Sequence, residues 1–222
     1  TVDKNTGDME IARPSNGGIP MGAEDSWTIF VYLCGSDLET GDGMATDDLI
    51  EMTEATESEN VKFIVQTGGA NEWWNDVVQA DCMQRFIVED VNITELWKQK
   101  GKMTSSQALA DFLKWGVETY PAEHMGVIFW DHGSGSINGV CFDETDDYSS
   151  LLLRDLDAAF LSVFEIMTDK FELIGFDACL MATTETALTM ANYGDYLIAS
   201  EETEPGVGWY YTNWLTALAK DP

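Results

Sequence analysis

A histidine and a cysteine in this chain each follow an apolar run that reads as a buried strand. Val127-Ile128-Phe129-Trp130 leads into Asp131-His132-Gly133-Ser134-Gly135, and Leu173-Ile174-Gly175-Phe176 leads into Asp177-Ala178-Cys179. Short apolar runs bounded by glycine and polar residues are strand signals. In an open parallel sheet the carboxyl ends of the strands form the rim where ligands bind. Two such strands side by side bring an imidazole and a thiol to one rim, the minimum apparatus for attack on an acyl carbon. The thiolate is the attacking form, and a nearby imidazole or a helix amino terminus favours it. His132 is the expected base and the donor of a proton to a leaving amine. Leu180 to Asn192 reads as a helix beginning at Cys179, so its dipole is expected to act on the sulfur. Gly133 has no side chain, so its N–H can approach a developing oxyanion together with the N–H of Cys179.

The neighbouring acids carry two readings each. Asp177 lies two residues before Cys179, on the same side of an extended strand. It either lines a pocket and takes a cationic substrate side chain or caps the turn that follows. Asp131 either orients His132 or caps its loop. His124 precedes its strand, at the other end of the sheet, and reads as a surface residue. Cys34, Cys82 and Cys141 lie in or beside apolar segments and read as small buried hydrophobes. Asp143-Glu144-Thr145-Asp146-Asp147 offers oxygen ligands of the kind calcium takes but lacks the glycine and spacing of an EF-hand loop, so a solvated acidic loop is the expectation.

The elements that must hold these residues alternate between strand and helix. Strands are expected at Trp27–Leu33, Val61–Gln66, the histidine and cysteine runs, and Tyr196–Ser200, with two short antiparallel strands at Asp76–Ala80 and Met83–Val88. Helical spacing marks residues 45–56, Thr104–Tyr120 capped by Ser105 or Ser106, the segment around Leu156–Met167, and Leu180–Asn192 closed by Gly194. Residues 34–39 read as a polar turn. Such alternation predicts an α/β fold: a three-layer sandwich with a mostly parallel central sheet and helices on both faces. Residues 1–25 are polar and rich in Gly, Asp and Pro. They read as a flexible tether or pro-region, leaving one domain at 26–222.

Composition narrows the partners. The 222 residues hold 11 Lys plus Arg against 40 Asp plus Glu, a formal charge of -29. So negative a surface repels phosphate backbones and excludes nucleic acid as an expected partner. It attracts basic peptides and cations. No apolar stretch approaches the roughly 20 residues that span a bilayer. The four cysteines are too sparse for a disulfide scaffold and form no zinc pattern.

Together these residues resemble the clostripain family of cysteine peptidases, relatives of caspases, gingipains and legumains. The resemblance rests on WTIFVYLCGSDLE, FIVQTGGA with the Trp pair after it, ALADFLKWGVETYPAEH, VIFWDHGSGS, FDACLMAT and IASEETEPGVGWYY, which cover most of residues 27–216 in order. It implies a caspase-like fold and endopeptidase activity after Arg or Lys. The implied machinery is a Cys179–His132 dyad with an oxyanion hole at Gly133 and Cys179. Asp177 is the implied acidic wall for the P1 side chain, with Glu202, Glu204 and Trp209 as further pocket residues. No cofactor is required for that cycle, although calcium is compatible with the acidity. A secreted or cell-surface bacterial protein with its leader removed is the corresponding location, and a carboxyl-terminal fragment of the same precursor is a candidate partner.

Two departures stand out. Residues 137–153 contain no Lys or Arg, so self-cleavage between His and Cys lacks a basic site before Arg154. Family members also continue past the equivalent of Pro222. The competing expectations are a silent caspase-like module that binds basic peptides, and a zymogen blocked by an uncleaved loop or by residues 1–25, with Arg13 as a pseudo-substrate in the acidic pocket.

Overall fold

The computed structural model describes residues 22–222 apart from 56, 57 and 90. Arg13 and all but four residues of the segment 1–25 lie outside the described residues. The strands are β1 (Trp27–Cys34), β2 (Val61–Gly68), β3 (Met83–Glu89), β4 (Asn92–Gln99), β5 (His124–Trp130), β6 (Val140–Asp143), β7 (Ser149–Leu151), β8 (Phe171–Asp177) and β9 (Gly194–Ile198). The helices are α1 (Ser36–Asp42), α2 (Met44–Glu54), α3 (Ser106–Thr119), α4 (Gly135–Asn138), α5 (Leu153–Phe164), α6 (Thr184–Met190) and α7 (Tyr211–Lys220).

β1 shows why the fold has three layers. Ile29, Val31 and Leu33 enter one core, and Phe30, Tyr32 and Cys34 enter the other. A strand apolar on both sides must lie inside a sheet covered on both faces. The sheet has seven strands in the order β4-β3-β2-β1-β5-β8-β9. β2, β1, β5, β8 and β9 run parallel, while β3 and β4 form an antiparallel edge. β6 and β7 form a separate hairpin.

Helices α3 and α5 cover one face. Ser105 caps α3 by accepting the N–H of Ala108, and Leu109, Phe112, Leu113 and Val117 are buried at helical spacing. Each such side chain contributes about 1.5–3 kcal/mol through burial. Gly116 lets α3 approach the Phe30 ring, where any Cβ would overlap it. Beneath the rim, Phe129 of β5 stacks on Phe176 of β8 at 5.1 Å and meets Phe160 of α5 edge-on. This aromatic layer fixes the two strands that lead to His132 and Cys179. On the other face, α2 and α7 bury Leu49, Met52, Tyr211 and Leu215 against Trp130 and Phe86.

Several expected elements differ. Asp76–Ala80 is a turn, because the Asn75 carboxamide accepts the N–H groups of Val77 and Val78 and offers the backbone an alternative to a ladder. The partner of β3 is instead β4, a strand without an apolar face. Residues 36–42 are helical rather than a turn. Helix α6 is confined to Thr184–Met190, since Leu180 has φ +63° and Thr183 caps the helix by accepting the N–H of Thr186. The N–H groups of Leu180 and Ala182 bond across to Glu202 and Ser200. Gly194 opens β9 against Ile174 rather than ending a helix.

Candidate active site

Leu33, Trp130 and Asp177 occupy one row across three adjacent parallel strands. His132 and Cys179 each stand two residues beyond that row, and Asp37 stands four beyond it on α1. All three emerge at the carboxyl rim. His132 and Cys179 border a cleft of about 310 Å³ whose lining also includes Leu38, Asp177, Glu204 and Gly208.

His132 is half-exposed, and its Nε2 lies 2.9 Å from Oδ1 of Asp37. Burial pushes the Asp37 carboxyl up, but the hydrogen bond and charge of His132 more than offset this and hold it below its ordinary value. An ionised carboxylate can only accept, so Nε2 carries the proton and Nδ1 is left as the basic nitrogen. Asp131 does not touch the imidazole. It is fully buried, and one of its oxygens accepts the N–H of Phe142. Burial holds its carboxyl well above the usual carboxylate range, against the N–H groups of His132 and Phe142. Asp131 therefore fastens the β6 hairpin beside the histidine turn. Phe142 then sets its ring edge-on to that of His132.

The two rim turns are in direct contact. A Cβ on Gly133 would overlap the carbonyl oxygen of Cys179 and press on Ala178 and Met181. Gly133 faces Val140 in an antiparallel bridge. The flanking bonds run from Ser134 N to Gly139 O and from Cys141 N to His132 O. This is the non-hydrogen-bonded type of pair, so the Gly133 N–H points away from β6.

Cys179 is partly exposed, whereas Cys34, Cys82 and Cys141 are buried. No helix begins at Cys179, so the expected dipole does not act there. Its sulfur accepts the main-chain N–H of Glu204 at 3.3 Å instead, and that single donor takes the place the helix was expected to fill.

Asp177 forms the floor of the cleft. Its Oδ2 accepts the Trp209 N–H at 3.1 Å and the Tyr211 hydroxyl at 3.0 Å. Burial pushes its carboxyl up to about 7 despite these donors, and the neighbouring Glu204 pushes the same way. Glu204 Oε2 is buried without a hydrogen-bond partner. Asp48 of α2 lies behind, accepting the Trp130 indole N–H, and burial pushes its carboxyl up to about 8. The loop reaches Asp177 only because Gly208 has no side chain: its φ is +58°, and a Cβ there would stand 2.8 Å from Oδ2.

A family model, that of the clostripain family of C11 peptidases, matches residues 31–222. The chain belongs to the clostripain family. The solved structures that resemble it include a secreted C11 cysteine protease from Bacteroides thetaiotaomicron bound to an irreversible peptide inhibitor. That protein is 22% identical with a TM-score of 0.70, over 88% of this chain and 57% of its own. An inactive zymogen C11 protease from Parabacteroides distasonis is 23% identical with a TM-score of 0.64, over 89% of this chain and 54% of its own. These likenesses establish the caspase-like α/β fold of the clostripain family. The chain spans a little over half the length of those proteins. No curated protein matches it.

Of the residues picked from the sequence, His132, Gly133, Cys179, Asp177 and Glu204 come together. Trp209 supports the floor from outside, with its ring against Gly175 and its N–H on Asp177. Glu202 is exposed and lies outside the cleft lining, its carbonyl accepting the Leu180 N–H. His124 opens β5 rather than preceding it, and stacks on Trp27 of β1 at the opposite end of the sheet. Arg154 sits in the first turn of α5 with an exposed side chain. In the acidic loop, Asp143 is buried and accepts N–H groups of Met103 and Thr145, while Asp146 pairs with Lys102. No group of three or more His, Cys, Asp or Glu side chains converges as a metal cage among the described residues.

Sequence reasoning missed two residues. Asp37 carried a usable signal, since it follows the carboxyl end of an apolar strand. Tyr211 carried none, because only the return of α7 onto α2 brings its hydroxyl to Asp177. The Tyr211 N–H is anchored by Glu51 at 2.8 Å.

Proposed function

We propose that this chain carries the catalytic cleft of a cysteine endopeptidase that cleaves after Arg or Lys. The observation that carries the reading is a pair of neighbouring acids, Asp177 and Glu204, which line the same cleft as Cys179, with no cationic partner for either among the described residues. Burying a carboxylate without a cation is costly. A guanidinium or ammonium from a substrate side chain would supply the missing charge, with the planar guanidinium able to bond both acids.

In the proposed cycle, His132 Nδ1 takes the Cys179 proton and the sulfur attacks the carbonyl carbon. The N–H groups of Gly133 and Cys179 receive the oxyanion. The C–N bond then breaks, the imidazolium protonates the departing amine, and a thioester remains. Water attacks that thioester with His132 again as base, which frees the acid and restores the thiol. The cycle uses no cofactor. Export fits the reading, since one structural relative is described as secreted and no helix among the described residues is long and apolar enough to cross a membrane.

A second reading, a precursor awaiting cleavage, is favoured by the Glu204 N–H on the Cys179 sulfur, which puts the loop over the nucleophile. Arg-, Lys- and Asp-ending amide substrates given to the intact chain and to Cys179→Ala test the first reading. Cleavage after basic residues that vanishes in the variant supports it, and cleavage surviving in the variant removes it. Activity that appears only after limited trypsin treatment selects the precursor.

A further inference from the structure

Glu39 locks α1 to its surroundings. Its buried carboxylate accepts the N–H and hydroxyl of Thr46 and the N–H of Trp74. The helix that carries Asp37 is therefore a fixed platform rather than a loose turn. Parallel pairing of β1 with β5 sets that platform beside the histidine turn. The result is the 2.9 Å contact between Asp37 and His132 Nε2.

We propose that Asp37 is a positioning residue of the reaction, which holds the His132 ring in the Nε2–H tautomer and stabilises the imidazolium formed when Nδ1 takes the thiol proton. A dyad alone leaves the second ring nitrogen unassigned; here the distance and the rigid helix assign it. An imidazole without an acceptor at Nε2 divides between two tautomers and two ring orientations, only some of which present a base to the sulfur. The titratable groups that share the cleft with His132 are Asp131 on its own strand end, Cys179 and Asp177 from the end of β8, and Glu204 from the covering loop, while Tyr148 and Glu144 lie on the Asp37 side. Asp131 is committed to the N–H of Phe142, and Glu144 to Thr40 and Asn71.

The inference rests on the peptidase reading, yet its test does not need peptide cleavage. The chain has two histidines, so their ring resonances can be titrated by NMR with His124 as an internal control. In Asp37→Asn and Asp37→Ala the His132 midpoint is expected to fall while that of His124 stays. Asp37→Glu is expected to restore it in part. The pH limb of Cys179 alkylation that reports loss of the imidazolium proton should move to lower pH as well. Where peptide cleavage is measurable, kcat should fall roughly ten- to a hundredfold with KM little changed. If Asp37 only stabilises the first turn of α1, the variants lose thermal stability and the His132 titration stays put, which overturns the proposal. A shifted titration in a chain that cleaves nothing upholds the Asp37–His132 coupling and removes the peptidase reading instead.

Discussion

Gly133 rests against the carbonyl of Cys179 with no room for a methyl group between them. The glycine in the histidine turn thus does more than bare its N–H. It lets two neighbouring strand ends close on each other, which brings the imidazole turn up to the thiol turn.

Gly133→Ala is accordingly expected to disable the site. The methyl group meets backbone rather than a flexible side-chain end, so the turns must separate. Overpacking of this kind costs about 1–3 kcal/mol, or about 2–12 °C in Tm for a chain of this size. A displacement near 1 Å at the reacting atoms costs about a hundredfold in rate. Melting curves and kcat/KM on an Arg-ending substrate measure both, and wild-type activity in the alanine variant would refute the contact.

Under the proposed reading, Asp177 is expected to make binding of basic residues pH-dependent. Its carboxyl is pushed from 3.8 up to about 7, so the folded protein holds a proton there that the unfolded chain has released. Stability from this group is fully present below about pH 4 and is lost as pH rises through about 7. Asp177→Asn should match wild type at pH 4 and melt higher at pH 8, by roughly 1–3 kcal/mol. Affinity for an Arg-ending substrate should run the other way in wild type, improving as pH passes about 7 and the carboxylate forms. The asparagine variant should show neither the rise nor the preference for basic residues.

Tyr211→Phe removes a hydroxyl that favours the ionised form of Asp177. The pH at which Arg-ending substrates begin to bind well should move upward, and KM at pH 7 should increase severalfold. Losing one buried hydrogen bond costs about 1 kcal/mol of stability. Steady-state kinetics across pH 5–9 would show this, and an unmoved KM profile would mean that the hydroxyl does not tune the pocket.

Iodoacetamide at neutral pH should label Cys179 first. Burial pushes the thiols of Cys34 and Cys141 well up, and that of Cys82 up as well. Peptide mapping after a short native exposure should find one modified cysteine, and all four only after denaturation. Labelling of Cys82 ahead of Cys179 would contradict the exposures given by the fold.

Much of the architecture was legible because strands buried on both faces leave long apolar runs. β1, β2, β5 and β8 could be located from those runs, with ends up to three residues short of the observed strands, and α3 was marked by a serine cap and a continuous apolar face. β4 escaped because Asn92–Gln99 borders the sheet edge and mixes charged residues with Trp97, so no apolar alternation betrays it. The overlong helix after Cys179 had a different cause: Leu180 to Asn192 suits a helix locally, but the N–H groups of Leu180 and Ala182 bond to the carbonyls of Glu202 and Ser200 and keep 180–183 out of the helix.

The sequence by itself determined which reactive side chains stand at strand ends: a thiol and an imidazole, with an acid two residues before the thiol, in a strongly acidic chain of strands and helices. Only the tertiary structure decided which distant side chains stand beside them. Asp37 and His132 are 95 residues apart, and Asp177 and Tyr211 are 34 apart. Their contacts depend on strand order and on helices returning over the sheet. Residue type and local periodicity report what a segment can become, whereas a contact between distant segments is settled by the packing of the whole sheet.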